Sequence, residues 1–351
     1  MLSFVDSNNN QEWDSFVKGL KTYSFLNSSA RIEYLKETGK EAIQKYIQKD
    51  EVNIGIITGS VSKTRFGKVL DLKHSPLLNN EFRNDMNIWK EVFTELKKIG
   101  REMGCLSVRV SPLEIENDSL KSTYRKMGAI KSPTHNIDAL ISQYIDLTKT
   151  EEELRHDMSS STRNNINKLM KNGDISVKIV NDDSMFDTFA NFHEQTRKKK
   201  GFHDKPMGLL LKELKIQVEM GMHYMIVGYY KDKPISIWTL TKYGKYGSIY
   251  QAGSDTEFRE KKIRVTYLLA WESMKLGEEL GLETLDLFGG MVPEGCTKHP
   301  WMGVNNFKVS LGGKKVTYMH NMDIPINTLK YYIFYIYSYL RTIYKGYPVN
   351  W

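Results

Sequence analysis

The chain has 351 residues, of which 40% are hydrophobic and 26% are charged, with 9 prolines. This composition excludes collagen-like and intrinsically disordered classes and supplies enough apolar residues for two domains of about 150 residues each. The formal charge of +8 favours polyanionic partners such as nucleic acid, nucleotide phosphates or an anionic membrane surface. A plain gain in solubility is the alternative interpretation of the same charge.

In the first half, helices and strands alternate. Helices are predicted at residues 11–20, 30–37, 84–103 and 120–127, and strands at residues 52–58 and 106–110. The helix at 84–103 has the clearest pattern, because Trp89, Val92, Phe93 and Leu96 recur at helical spacing. The helix at 120–127 is expected to end before Gly128.

The second half repeats this order with its own residues. Helices are predicted at residues 151–171, 183–200, 206–219 and 265–280, and strands at residues 144–147, 176–180, 224–230, 235–242, 246–252 and 284–288. Three of these strands follow one another through turn residues, which predicts an antiparallel meander. We therefore expect two similar α/β domains over residues 1–146 and 147–321, with the tail at 322–351 packing back on the first.

The cellular compartment is predicted from what the chain lacks. Its two cysteines, Cys105 and Cys296, do not form a disulfide framework, which favours a reducing compartment. The first residues have no basic region followed by an apolar core, so no secretory signal is predicted. An uncharged apolar run of about 18 residues is also lacking, so we expect no transmembrane segment and a cytoplasmic protein, with the inner membrane face as a further possibility.

Most familiar catalytic motifs are missing from the sequence. Its eight histidines show no HExxH or CxxC-type spacing, so no metal site and no metal cofactor is predicted. There is likewise no GxSxG elbow, Walker A loop or GxGxxG fingerprint, which leaves hydrolase, NTPase and dinucleotide-binding hypotheses without support.

Two basic stretches are candidates for phosphate or RNA contact. Arg163 lies with Lys168 and Lys171 along one side of a predicted helix, although a solvated helix face has the same pattern. Arg197 opens a run of cations that continues to Lys205, where stabilisation of a helix C-terminus is the structural alternative.

A third stretch combines acidic, aromatic and glycine residues in an unusual order. Asp286 lies inside an apolar strand that ends at Gly289-Gly290. Phe307 and Lys308 follow in what is predicted to be the next strand, before a second glycine pair. A carboxylate inside an apolar strand is costly in a plain core, so this stretch favours a functional site.

Five motifs in this order resemble the FemABX family of peptidyltransferases. They are Thr162-Arg163-Asn164-Asn165-Ile166 with Gly173, Thr196-Arg197 with Gly201-Phe202, Tyr250-Gln251-Ala252-Gly253-Ser254, Asp286-Leu287-Phe288-Gly289-Gly290, and Phe307-Lys308 with Gly312-Gly313. In the first domain the resemblance is looser. There Arg109-Val110-Ser111-Pro112 is similar to a family Arg-x-x-Pro element, whereas His74-Ser75 departs from the usual pattern.

The resemblance implies an α/β fold of two tandem GNAT-like (acyl-CoA N-acyltransferase-like) domains, here without the coiled-coil arm of some members. It implies that Phe307 and Lys308 lie beside an aminoacyl ester, Lys205 near the phosphates of the acceptor, and Tyr267 in the cleft. Arg163, Arg197, Tyr250 and Arg109 are further substrate-binding candidates. Leu209 stands where a related member has a tyrosine, so that part of the pocket is expected to differ.

The implied function is transfer of an amino acid from aminoacyl-tRNA to the amine of a peptidoglycan precursor, either UDP-MurNAc-pentapeptide or lipid II. Aminoacyl-tRNA is then a co-substrate, and no cofactor is expected. Lys308 would supply positive charge near the tetrahedral oxygen or the terminal adenosine phosphates. Asp286 or a substrate carboxylate would accept the amine proton.

Two alternatives from other classes stay open. The first is a GNAT-type acetyltransferase that uses acetyl-CoA on a sugar, although residues 259–265 have no glycine for a pyrophosphate loop. The second is a non-enzymatic RNA-binding or membrane-surface adaptor, suggested by the charge and by the aromatic tail at residues 331–337, which also offers a peripheral membrane contact.

Overall fold

A computed structural model describes residues 2–115, 118–134, 140–200, 205–260, 263–295, 299 and 301–344. The described helices are α1 (Asn10–Gly19), α2 (Ser29–Glu37), α3 (Met86–Glu102), α4 (Asp118–Lys126), α5 (Glu151–Asp157), α6 (Ser160–Met170), α7 (Phe186–Lys200), α8 (Met207–Glu219), α9 (Thr256–Glu260), α10 (Thr266–Glu279), α11 (Met302–Ser310) and α12 (Thr328–Tyr344). The described strands are β1 (Leu2–Asp6), β2 (Ala42–Lys49), β3 (Val52–Thr64), β4 (Gly67–Lys73), β5 (Leu77–Leu78), β6 (Cys105–Ser111), β7 (Ile130–Lys131), β8 (Ile141–Asp146), β9 (Ile175–Val180), β10 (His223–Tyr230), β11 (Lys233–Tyr243), β12 (Tyr246–Ser254), β13 (Thr284–Asp286), β14 (Lys314–Thr317) and β15 (Met322–Pro325).

These elements form two units. The first contains the described residues of Met1–Leu140 and Thr317–Trp351, and the second contains those of Ile141–Val316. The end of the chain therefore belongs to the first unit, which takes β15 and α12 from it. Each unit has its own sheet.

In the first unit, the strand order is β1-β2-β3-β4-β6-β15-β7, with β5 paired to β3. The β4 and β6 strands are parallel, whereas β15 runs antiparallel to β6. The predicted long helix is confirmed as α3, which begins where the Asp85 side chain accepts from two backbone N–H groups. Its apolar face, which includes Trp89 and Phe93, is buried in the main core of this unit.

In the second unit, the strand order is β14-β8-β13-β12-β11-β10-β9. The predicted meander is confirmed, since β10, β11 and β12 pair antiparallel in sequence. Both faces of this sheet are covered: along β10, Ile226 joins the core beneath α10, while Met225 and Val227 join the core with α7 and α8. This alternation is the period of two that places neighbouring side chains on opposite faces of a strand.

Two predicted elements are wrong. The single helix expected at 151–171 is two helices, because Ser159 begins α6 as a new N-cap and its side chain accepts from the backbone N–H of Thr162. The strand expected around Phe307 and Lys308 is the helix α11. Its two asparagines and its glycine are poor helix formers, but Asn305 is buried and its side-chain oxygen accepts from the backbone N–H of Val292.

Candidate functional site

The site is built around a sharp turn that follows β13. Phe288, Gly289 and Gly290 all have positive φ angles, of 49°, 70° and 65°. A phenylalanine in this region of backbone space is rare and costs free energy, which is typical of functional sites. A side chain at position 290 would also be crowded, because a Cβ there would lie 3.1 Å from Val304 Cγ1 and 3.4 Å from Lys308 Nζ.

Lys308 on α11 holds this turn closed. Its Nζ donates to the carbonyl oxygens of Leu287 at 2.6 Å, Phe288 at 3.4 Å and Gly289 at 2.5 Å. An ammonium group has three N–H donors, so this carbonyl cradle engages all of them. Burial lowers the pKa of Lys308 to about 8, while the nearby charge of Asp286 opposes that shift.

Asp286 ends β13 and is buried beside the same turn. Its Oδ1 accepts from the Ser142 hydroxyl on β8 and from the backbone N–H of Phe288 at 2.8 Å. The Ser142 oxygen in turn accepts from the N–H of Gly289 at 3.3 Å. Burial raises the pKa of Asp286 to about 6, against the opposing effects of these hydrogen bonds and of Lys308.

The pKa values of Asp286 and Lys308 thus lie on either side of neutral pH. Burial is the main cause of both shifts, since it raises the pKa of Asp286 and lowers the pKa of Lys308. The charge of each group opposes the shift of the other. Groups whose pKa values are moved in this way by burial, beside a specific charged partner, are typical of proton-transfer sites.

Three aromatic contacts involve the turn or its neighbour Phe307. The Phe307 ring, next to Lys308 in sequence, meets the Tyr267 ring edge-on at 5.1 Å and the Trp238 ring at 6.0 Å. Within the turn, the Phe288 ring meets the Tyr250 ring at 5.5 Å. Of the predicted residues, Tyr250 thus contacts the turn directly through Phe288, whereas Phe307 and Tyr267 contact each other next to Lys308, whose ammonium group binds the turn.

Lys205 extends this group through Tyr250. Its Nζ donates to the Tyr250 hydroxyl at 2.9 Å and forms an ion pair with the buried Glu213 on α8. The Tyr250 hydroxyl also donates to the Glu213 carboxylate at 3.2 Å. The described contacts thus link Lys205, Tyr250 and Phe288 in one chain that leads to the glycine turn. The Gly201-Phe202 pair of the same motif lies outside the described residues.

Arg163 and Arg197 have structural partners of their own. The Arg163 guanidinium donates to the carbonyl oxygens of Arg155, His156 and Met158, the last at 2.5 Å, and so closes the end of α5. Arg197 forms a bidentate ion pair with Glu194, one turn earlier on α7, at 2.7 Å for both bonds. These contacts favour structural roles for both residues.

Arg109 lies in the core of the first unit. It is 6% exposed and forms a bidentate pair with Asp323 on β15, with nitrogen to oxygen distances of 2.8 and 2.9 Å. The hydroxyl of Tyr331 donates to the same carboxylate at 3.0 Å. These contacts favour a structural role for Arg109, because the guanidinium nitrogens Nε and Nη2 both bind the carboxylate on β15. Substrate binding by Arg109 stays a prediction.

The second glycine pair closes the end of α11. Gly312 and Gly313 have φ angles of 83° and 79°, and a Cβ on either would collide with backbone atoms of Asp157 or Tyr144. The Gln143 amide donates to the Gly312 carbonyl at 2.6 Å. These glycines thus allow the chain to pass close to β8, the strand that carries Ser142, and so help to place α11.

Sequence reasoning missed Ser142 and Glu213. Ser142 contacts Asp286 from 144 positions away in the chain, and no local signal marks it. Glu213 had a readable signal, because it is a carboxylate among the apolar positions Leu210 and Leu214 of a predicted helix. A charged residue on a buried helix face requires a partner, and here that partner is Lys205.

Within the described part of the chain, no group of three or more His, Cys, Asp or Glu residues is arranged to hold a metal ion. None of the described helices is long and apolar enough to cross a bilayer.

Comparison with known proteins defines the class first. Residues 156–298 match the acetyltransferase (GNAT) domain family. A tandem GNAT protein from the clavulanic acid biosynthesis pathway superposes on 93% of the chain and 99% of its own length, with a TM-score of 0.59 and 10% identity. The protein therefore has a tandem GNAT-like α/β fold, as predicted, and is a transferase by class.

Residues 9–207, more than half of the chain, match the FemAB family. The chain belongs to the FemAB family, which confirms the predicted resemblance. The crystal structure of FemX aligns with 95% of this chain and all of its own, with a TM-score of 0.81 and 15% identity. L-PGS from Bacillus licheniformis aligns with 95% of the chain and 98% of its own, with a TM-score of 0.53 and 12% identity. Among curated proteins, none matches this sequence.

Proposed function

We propose that this protein transfers an amino acid from aminoacyl-tRNA to the amine of a peptidoglycan precursor, and that the site described above performs the transfer. The observation that carries the proposal is the glycine turn with the buried Asp286 on one side and the Lys308 ammonium bound to its carbonyl oxygens on the other. Phe307, the neighbour of Lys308 in sequence, packs against Tyr267. Membership of the FemAB family and the likeness to FemX support the substrate class.

The reaction needs little activation, because an aminoacyl ester is already reactive. The acceptor amine attacks the ester carbonyl carbon, a C–N bond forms and the carbonyl oxygen becomes an oxyanion. The ester C–O bond then breaks and the ribose hydroxyl of the tRNA leaves. Orienting the two substrates and stabilising the oxyanion are the main tasks that remain for the protein.

Asp286 takes the proton in this scheme. With a pKa of about 6, its carboxylate is ionised at neutral pH and is still basic enough to accept a proton from the attacking amine. The proton then passes to the departing ribose oxygen, so that the carboxylate is restored. Ser142 and the N–H of Phe288 position Asp286 through its Oδ1.

Lys308 stabilises the oxyanion through the field of its charge. Its three N–H donors are already engaged with carbonyl oxygens, so a hydrogen bond to the oxyanion would require it to release one of them. A charge in a site of low dielectric acts over several ångströms without such a bond. The cradle fixes that charge before the reaction begins, which removes the cost of reorganising it.

The proposed partners follow from the remaining residues. Aminoacyl-tRNA is the co-substrate, and the scheme uses no resident cofactor. The acceptor in this proposal is UDP-MurNAc-pentapeptide or lipid II, and Lys205 is proposed to contact its phosphates. The hydrogen bond from Lys205 to Tyr250 links it to the site and supports this role. Both substrates belong to the cytoplasmic side of the membrane, so we propose that location for the protein.

The competing candidate is acetyl transfer from acetyl-CoA to a sugar, which the GNAT domain match favours. GNAT enzymes cradle the CoA pyrophosphate in a glycine-containing loop between a strand and a helix, and the corresponding residues here, 255–265 between β12 and α10, contain no glycine. Phosphate cradles of this kind use glycine because the backbone must approach the ligand closely. This sequence feature favours the aminoacyl ester as donor.

The deciding experiment incubates the protein with purified precursors and either a mixed pool of charged tRNAs or acetyl-CoA, with mass spectrometry of the acceptor. We expect a gain of one amino acid with charged tRNA and none with acetyl-CoA. The reverse result would establish the acetyltransferase instead. No gain with either donor would remove both enzymatic candidates.

A matched pair of variants tests the role of Lys308. Lys308→Met should lower turnover by about 10²- to 10³-fold, as loss of a stabilising charge at an oxyanion does, with a much smaller change in precursor affinity. Lys314→Met, which removes an exposed lysine just after α11, is the control and should behave as the unaltered chain. Equal turnover in Lys308→Met and the control would reject the assignment.

A further inference from the structure

The last described helix, α12, is docked on the first unit by one face. Tyr331, Phe334, Ser338 and Thr342 recur at helical spacing and are all buried. Tyr331 donates to the buried carboxylate of Asp323 at 3.0 Å, and Phe334 packs in a small apolar cluster with strand residues. The helix is thus held in a fixed orientation, with its opposite face directed outward.

That outward face carries a stripe of exposed aliphatic residues. They lie at positions i, i+4, i+7, i+11 and i+14, which is one side of an α-helix. The stripe consists of Leu329, Ile333, Ile336, Leu340 and Ile343. All five are between 49% and 75% exposed, which is unusual for so many large aliphatic side chains on a single helix. Contiguous exposed apolar surface of this kind marks an interaction site.

The edges of the stripe have a distinct composition. Exposed tyrosines flank it on both sides, at positions Tyr332, Tyr337, Tyr339 and Tyr344. The exposed Lys330 and Arg341 lie beyond Tyr337, and Arg65 from the β3–β4 hairpin stacks over the Tyr337 ring at 5.2 Å. Residues 328–344 include no Asp or Glu.

The geometry points to an anionic phospholipid surface as the partner of this face. We propose that α12 lies flat at the headgroup boundary, with the aliphatic stripe facing the acyl chains, the tyrosines at the interface and the basic residues on the phosphates. Tyrosine and Lys or Arg flanking an apolar stripe is the composition of interfacial helices. At 17 residues the helix is about 25 Å long, too short to cross a bilayer.

A second copy of the chain fits this face less well. Its aliphatic residues are spaced as in a coiled-coil seam, but the positions beside such a seam usually carry charges of opposite sign that pair across the interface. Here those positions are four tyrosines and Lys330. With the tyrosines included, the apolar face covers about 160° of the helix, which is wider than a two-stranded seam.

Vesicle co-sedimentation of the full chain tests this proposal without any reaction substrate, so its outcome is separate from that of the proposed function. We expect the protein to bind vesicles that contain phosphatidylglycerol, to bind pure phosphatidylcholine vesicles more weakly, and to lose binding as salt is raised. Ile336→Gln with Leu340→Gln should lower the partition coefficient by about tenfold or more, because two exposed aliphatic side chains no longer enter the apolar layer.

Two further variants separate apolar from electrostatic contributions. Val52→Gln with Ile179→Gln removes two exposed aliphatic side chains from β3 and β9 and should leave vesicle binding unchanged. Lys330→Glu with Arg341→Glu keeps the stripe and should remove the preference for phosphatidylglycerol. Circular dichroism and thermal unfolding report whether each variant is folded.

Three results would overturn the proposal. The unaltered chain could remain in the supernatant with both kinds of vesicle. The control pair on β3 and β9 could reduce binding as much as the stripe variant does. Sedimentation velocity could also find a dimer without lipid that Ile336→Gln with Leu340→Gln dissociates, together with no vesicle binding, in which case a second copy covers the face.

Discussion

Replacement of Asp286 by asparagine should stabilise the protein at neutral pH while it abolishes activity. The pKa of Asp286 is raised from 3.8 to about 6, mainly by burial, so its charged form is less stable in the folded chain than in the unfolded chain. A shift of about two pKa units corresponds to about 3 kcal/mol in the free energy of unfolding. Asparagine keeps the oxygen that accepts from Ser142 and from Phe288, but it has no charge to bury.

The sign of the pH dependence follows from the direction of this shift. A raised folded-state pKa means that the neutral carboxyl contributes stability that is fully present below pH 3.8 and is lost as the pH rises through 6. An asparagine side chain at this position does not titrate. The stability advantage of Asp286→Asn should therefore grow by about 2 kcal/mol between pH 4 and pH 7.5.

Urea unfolding at several pH values, followed by circular dichroism, measures this difference. Asp146→Asn is a useful control, because hydrogen bonds from Thr148 lower the pKa of this exposed aspartate and its pH effect has the opposite sign. Transfer activity should be lost in Asp286→Asn and kept in the control. Parallel stability curves for Asp286→Asn and the unaltered chain at every pH would refute the reasoning, because Asp286 would then titrate alike in the folded and unfolded states.

Three further substitutions test separate parts of the structure. Gly313→Ala should destabilise the chain by more than about 2 kcal/mol, because its Cβ would meet backbone atoms at a position with a positive φ angle. The control Gly303→Ala lies in open space on α11 and should be neutral or stabilise by up to about 1 kcal/mol. Thermal unfolding measures both, and a lower Tm for Gly303→Ala than for Gly313→Ala would contradict the prediction. Asp323→Asn leaves Arg109 buried without its ionised partner and should cost about 3–5 kcal/mol in urea unfolding, and a loss below about 1 kcal/mol would argue against a buried pair. Tyr250→Phe removes the hydroxyl that accepts from the Lys205 ammonium and should raise KM for the precursor more than it lowers kcat, so an unchanged KM would exclude this linkage from precursor binding.

Local patterns in the sequence were enough to place most of the described helices and the central meander. The apolar spacing of α3 directly reflects which face of the helix is buried, and the turn residues between β10, β11 and β12 mark the meander. This information lies within a few residues. The strands β1, β2 and β4 were missed, since the first carries only one buried residue and the others show weak alternation. The break between α5 and α6 had a readable signal in Ser159, whereas the helix α11 did not.

The sequence by itself therefore determined the class of the fold, the order of the motifs and the identity of most residues at the candidate site. The contacts of these residues were decided only by the tertiary structure. Lys308 lies on a helix and donates to three carbonyl oxygens. Arg109 pairs with Asp323, which lies 214 positions later in the chain. Helix and strand periods are local properties of the chain. A buried charge, in contrast, takes its pKa and its role from partners that only folding brings near, and the sequence carries no local record of those partners.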